Sequence, residues 1–410
     1  MRLLYIVLAS LSQSLILSSA SVVINALNSG EFIEGEEYIE NPDKDLTTPQ
    51  IIRRHGYGAE SHTIETKDGY LLTLHRIPTN QNGEQGGRPI FLQHGLLSSS
   101  ADWVDSGDNA VAFLLADAGY DVWLGNSRGS VYSRAHVSLS TDSPQFWNFS
   151  FHEMGIYDLP ASLNYVANVT KQGGELIYIG HSMGTTMFFI FASMLPKEAS
   201  IIKIMVAFAP VAYMTHLKSP VRYFAPFSKD IEWLAKHLGL NEFLPNGRIL
   251  KLLSYECELL KYAKEICENV IFAICGFDEK EFDPNLLPVV LAHAPAGTST
   301  KTVIHYSQEI EDNGNFQCFD YGEVGNMIEY GTPTPPLYNL TNIQVPTYLM
   351  YGINDLMVSP IDVERLVTKL PKNVGIYQIP LDSFNHVDFL WAKDAMKYVY
   401  QPLLKFLQKY

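Results

Sequence analysis

The sequence predicts an α/β protein: a mainly parallel sheet covered by helices on both faces and interrupted by one long, mostly helical insertion. Three observations predict it. Short, continuously apolar runs alternate with longer helix-like segments, as they do when strands are buried on both faces. The alternation stops near Ala212 and resumes near Asn339 with runs of the same type. A Gly-x-Ser-x-Gly turn sits directly between one apolar run and a following helix.

The elements follow in chain order. Met1-Arg2, an apolar stretch to Leu17 and small residues at Ser18-Ser19-Ala20 mark residues 1–20 as a secretory signal. Polar residues Ser10, Ser12, Gln13 and Ser14 interrupt that stretch, so it does not read as a membrane span, and no other stretch is long enough. Residues 21–45 form an acidic leader, expected to be solvated. The first part of the core runs over 46–211. Residues 61–65 and 70–77 flank Asp68-Gly69, a hairpin signal. Strands are expected at 89–93, 120–124, 176–179 and 204–208, then at 347–351 and 375–379. Helices are expected at 108–118, 158–169, 183–194 and 362–370. Residues 212–338 read as an inserted cap or lid between two strands of one sheet, or as a third domain. The insertion is preferred because strands of the earlier type resume in 339–410, the second part of the core.

Composition limits the function classes. With 410 residues, 47% hydrophobic and 18% charged, the chain has ample material for a core and is not of disordered type. A net charge of −15 repels phosphate backbones and disfavours nucleic acid. Four cysteines are too few for a disulfide scaffold. No His/Cys cluster has metal-ligand spacing, and Gly56-Tyr57-Gly58 lacks the third glycine and preceding strand of a dinucleotide loop. No cofactor or metal is expected. Sequons at Asn148, Asn168 and Asn339 suit a glycosylated secreted or lysosomal protein.

The chemistry centres on Gly180-His181-Ser182-Met183-Gly184. An apolar strand precedes it and a helix follows, which is the nucleophile-elbow arrangement; the sharp turn needs small residues at Gly180 and Gly184. A serine hydroxyl needs a base to take its proton. In this chain order the acid and then the histidine follow the serine. Of the five histidines after Ser182, His386 alone lies beyond the last expected strand, so it is the candidate base. Asp355, just after the strand at 347–351, is the candidate acid, with Asp362 and Asp382 as alternatives. An oxyanion needs two donors. The Met183 N–H is one, and the Leu96 N–H, in the His94-Gly95-Leu96-Leu97 loop after strand 89–93, is the other.

With these residues in place, the chain resembles the acid lipase family of gastric and lysosomal lipases and their insect relatives, within the α/β-hydrolase superfamily. The likeness runs from about Leu46 to the C-terminus. It rests on Asp68-Gly69-Tyr70-Leu71-Leu72, Gln93-His94-Gly95-Leu96-Leu97, Gly125-Asn126-Ser127-Arg128-Gly129, residues 180–186 and 292–299, Gly352-Ile353-Asn354-Asp355, and residues 385–391. The resemblance implies a lipid ester hydrolase with a helical cap, part of it a lid, and a triad of Ser182, Asp355 and His386. It also implies that Cys257 pairs with Cys267, although the ten-residue spacing is one longer than the family pattern suggests. Mammalian relatives commonly carry Gln at the position of Met183, a change that a backbone donor tolerates.

The substrate expected is a lipid ester at a lipid–water interface, a triacylglycerol or a cholesteryl ester. Apolar residues such as Trp233, Leu238, Leu240, Phe243 and Leu244 in the cap form either its own core or an interface-facing lid. The rival readings are a carboxylesterase, peptidase or acyltransferase of the same fold, and an inactive lipid-binding or storage protein on the same scaffold.

Overall fold

The computed structural model describes residues 41–245, 269, 271–311 and 314–410. The expected signal and most of the leader lie outside the described residues. Among the described residues eleven strands appear in this order: β1 (Glu60–Glu65), β2 (Tyr70–Ile77), β3 (Pro89–Gln93), β4 (Asp121–Leu124), β5 (Ala135–His136), β6 (Leu176–His181), β7 (Ile202–Phe208), β8 (Glu242–Phe243), β9 (Thr298–Ser299), β10 (Thr347–Tyr351) and β11 (Asn373–Gln378). Strands β8 and β9 make a small antiparallel pair. The others form one sheet in the order β1-β2-β4-β3-β6-β7-β10-β11, with β5 paired to β2.

From β4 to β11 this sheet is parallel. Strands β1 and β2 form an antiparallel edge. Every residue of β3, β4 and β6 is buried, which is why these strands read as unbroken apolar runs. Edge strand β1 keeps several exposed positions and is correspondingly more polar. Helices Val111–Asp117, Leu159–Thr170, Met183–Met194 and Pro360–Val367 provide crossovers between parallel strands.

Some boundaries differ from the sequence expectation. Extended Ala110 separates a short 3-10 turn, Gly107–Asn109, from the helix proper, so the segment at 108–118 is not one helix. The segment expected at 158–169 begins earlier, with helical residues Phe151–Glu153 and a π-turn at Met154–Asp158. The end of the acidic leader also departs from a solvated reading. Pro42–Asp45 is a 3-10 helix with Asp43 buried, because Arg54 and His55 supply partners for its carboxylate.

Strands β7 and β10 are parallel neighbours, although the long segment lies between them in sequence. Among its described residues that segment contains helices Ser228–Leu238, Leu287–His293, Thr300–Glu311 and Gly322–Glu329. Cys257 and Cys267 lie outside the described residues. Cys275 and Cys318 are free thiols.

Candidate active site

The carboxyl ends of neighbouring parallel strands form the natural binding crevice of such a sheet. Ser182 follows β6 directly, the Leu96 loop follows β3, Asp355 lies beyond β10 and His386 beyond β11. Local sterics shape the elbow. A Cβ at Gly180 would meet the Gly184 carbonyl carbon at 2.7 Å, and one at Gly184 would meet the Gln93 oxygen at 2.3 Å. Neither position admits a side chain without movement, so helix Met183–Met194 packs closely on β6 and the loop after β3. Ser182 itself takes φ 52°, a left-handed conformation costly for a residue with a Cβ. Its N–H bonds to the Phe208 carbonyl at 3.0 Å, which holds the turn to the end of β7.

The structure brings Ser182, His386 and Asp355 into one hydrogen-bonded line. His386 Nδ1 lies 2.8 Å from Asp355 Oδ2, and His386 Nε2 lies 2.8 Å from Ser182 Oγ. An ionised carboxylate only accepts, so Nδ1 carries the proton and the bare Nε2 accepts from the serine hydroxyl. The other oxygen, Asp355 Oδ1, accepts from the Met357 and Val358 N–H groups, both at 2.8 Å. The acid is fully buried and the base nearly so, while Ser182 remains partly exposed. The alternative acids are placed elsewhere. Asp362 accepts from the His216 N–H and Nδ1, both at 2.8 Å, and Asp382 is exposed. Asp362 lies in the first turn of the helix that follows, whose N-cap is Ser359.

Among the described residues, neither the Leu96 N–H nor the Met183 N–H has an acceptor. The loop carrying Leu96 lies against the nucleophile, since a Cβ at Gly95 would come within 3.2 Å of the Ser182 Cβ. Two buried histidines frame this region. His94 Nδ1 donates to the Gly95 carbonyl at 2.8 Å, and its Nε2 accepts from the Ser127 N–H at 3.0 Å. Burial lowers its pKa to about 4, so it stays neutral. His181 donates from Nε2 to the His386 carbonyl at 2.9 Å. Burial, reinforced by neighbouring His386, lowers its pKa to about 3.

Sequence reasoning selected His94 for its dipeptide and His181 as part of the elbow; it assigned neither imidazole a task. It also missed the network around Arg128. Arg128 donates from Nε to Asp158 at 2.7 Å and from both terminal nitrogens to Asp68, and it lies 3.9 Å over the Tyr70 ring. The sequon residues Asn148, Asn168 and Asn339 are exposed. Among the described residues no helix is long and apolar enough to cross a membrane, and no side-chain group is placed to hold a metal ion.

Comparison with known proteins places the chain among lipases. Residues 48–107 match the model of a partial alpha/beta-hydrolase lipase region, and residues 88–243 match that of the alpha/beta hydrolase fold. The chain is 41% identical to gastric triacylglycerol lipase of Bos taurus, over 90% of this chain and 92% of that one. It is 39% identical to lysosomal acid lipase/cholesteryl ester hydrolase of Homo sapiens, with the same coverage of 90% and 92%. It is 42% identical to Lipase 3 of Drosophila melanogaster, over 88% and 92%. Among solved structures, a putative lipase from Sulfolobus solfataricus shares the fold, with a TM-score of 0.58 at 13% identity over 92% of this chain and 99% of that one.

Proposed function

We propose, from the premise that the chain belongs to the acid lipase family of the α/β-hydrolase superfamily, that it hydrolyses triacylglycerols or cholesteryl esters through an acyl-enzyme on Ser182. Membership makes it an ester hydrolase of lipase type. The finer reading rests above all on one observation, the line from Ser182 Oγ through His386 to Asp355.

In this mechanism His386 Nε2 takes the hydroxyl proton as Ser182 Oγ attacks the ester carbonyl. The carbonyl oxygen becomes negative and is received by the Leu96 and Met183 N–H groups. Collapse expels the alcohol, which takes its proton from His386. Water then attacks the acyl-serine by the same route, with His386 again the base. Asp355 fixes the tautomer and stabilises the imidazolium. Each step is proton transfer and acyl transfer, so no redox group or metal is called for.

The substrate class is supported by the inserted segment. Trp233, Leu238 and Leu240 are each more than half exposed, at 51%, 57% and 54%, and therefore do not form a cap core. Exposed apolar side chains in one segment suit contact with a lipid surface. The proposed location is secreted or lysosomal, with residues 1–20 as the signal and glycans on Asn148, Asn168 and Asn339.

The test compares emulsified long-chain esters with soluble short-chain esters. Higher specific activity on the emulsion is expected. Equal or lower activity would make the protein a plain carboxylesterase. Running trioleoylglycerol beside a cholesteryl ester from about pH 4 to pH 8 assigns the ester preference.

A further inference from the structure

The acid and the base of the proposed triad stand on separate loops, and a third segment, far away in sequence, joins them. Residues 275–277 of the insertion present three successive carbonyls to those loops. The Cys275 carbonyl accepts from the Leu356 N–H at 3.2 Å and from the His386 N–H at 3.3 Å. The Gly276 carbonyl accepts from the Asn385 side-chain amide at 2.9 Å. The Phe277 carbonyl accepts from the Asn354 side-chain amide at 2.9 Å. Asn354 and Asn385 are the residues immediately before Asp355 and His386. Asn354 Nδ2 also reaches across to the Ser383 carbonyl of the base loop at 2.7 Å.

The fit is close. Gly276 has φ 121°, and a Cβ there would lie 2.2 Å from the Asn354 oxygen and 2.8 Å from the Asn385 Cβ. The segment is anchored on both sides. The Phe272 carbonyl accepts the Gly276 N–H at 2.9 Å, and buried Phe282 pairs with Ala392 just beyond the base loop.

We infer that residues 275–277, together with the amides of Asn354 and Asn385, are a positioning strap that sets Asp355 and His386 in register for proton transfer. The inference rests on the Ser182–Asp355–His386 reading. Misplacing reacting groups by about 1 Å costs on the order of 100-fold in rate, so two loops tied by one backbone segment have a direct kinetic consequence. On this account the insertion takes part in the chemistry as well as in substrate access.

The test uses the full-length enzyme and a soluble short-chain ester, so that interface binding does not enter. Asn354→Ala, Asn385→Ala and Gly276→Ala are each expected to lower kcat by about 10- to 100-fold while KM changes by less than about threefold. The rate of Ser182 phosphonylation should fall in parallel. Asn354 is partly exposed, so Asn354→Ala carries the test if Gly276→Ala does not fold. Wild-type kcat in folded Asn354→Ala and Asn385→Ala, with a change confined to melting temperature, overturns the strap. Asp355→Ala and His386→Ala run alongside as a separate check. If they stay active, the triad reading itself falls and the strap with it. If they are inactive while the strap variants are unimpaired, the strap alone falls.

Discussion

A trans peptide points its C=O and N–H in opposite directions. The His94 bond to the Gly95 carbonyl therefore turns the Leu96 N–H the other way, and the Ser127 N–H holds the imidazole in place. His94→Phe keeps the bulk and removes both bonds. Losing an oxyanion donor costs about 100- to 1,000-fold in kcat, and misaiming one should cost about 10-fold or more. Steady-state kinetics on a soluble ester check this; a change below about twofold would contradict it. His55 shows a different use of the same side chain. Its Nε2 meets Asp43 and its Nδ1 meets Asp108, both at 2.9 Å. Asp43 is the chief cause of its raised pKa, with Asp108 adding to it. A raised folded-state pKa gives stability that is fully present below the unfolded value of about 6.5 and is lost as pH rises through the raised value. His55→Gln should therefore lower the melting temperature more at pH 5 than at pH 8.5, and an equal loss at both would contradict the clamp. Of the proposed triad, the sequence points to Ser182 by its turn and to His386 by chain order. It does not point to Asn354 and Asn385, because asparagine in a loop looks like ordinary turn chemistry.

At the scale of elements, three separate pieces meet at one guanidinium. Arg128 is buried in the loop after β4, Asp68 sits in the β1–β2 turn, and Asp158 ends the π-turn. Removing one partner of a buried ion pair leaves the other uncompensated and costs about 3–5 kcal/mol. Arg128→Leu should destabilise the fold by that order in chemical denaturation, whereas a loss under about 1 kcal/mol would mean that these elements are held by packing alone. Strands β3, β4, β6, β7 and β10 were legible because burial on both faces makes them continuous apolar runs, whereas edge strand β11 alternates half-buried and exposed positions. Strands β5, β8 and β9 have two residues each, too few to show any periodicity. The Pro42–Asp45 turn was misread because its acids look solvated in a local window, while the groups that bury Asp43 stand eleven and twelve residues further on.

For the whole molecule, the sheet order explains why one long insertion bears on the site. The chain leaves β7 at Phe208, whose carbonyl holds the Ser182 N–H, and it returns as β10, the neighbour of β7. Between those points its residues 275–277 reach the loops of Asp355 and His386, and the Ala296 N–H bonds to the Leu97 carbonyl at 2.6 Å, beside the proposed oxyanion donor. Sequence patterning reads residues 212–338 as an insertion but gives no sign of these contacts, since hydrogen bonds between backbone segments far apart in the chain leave no periodic trace. The central claim is that the molecule acts through one activated serine. Treatment with a serine-directed phosphonate, followed by peptide mapping and residual-activity measurement, tests it most directly. The expected result is a single adduct on Ser182, with activity lost in proportion to its formation. An adduct at another serine, or full activity with Ser182 modified, would contradict the account.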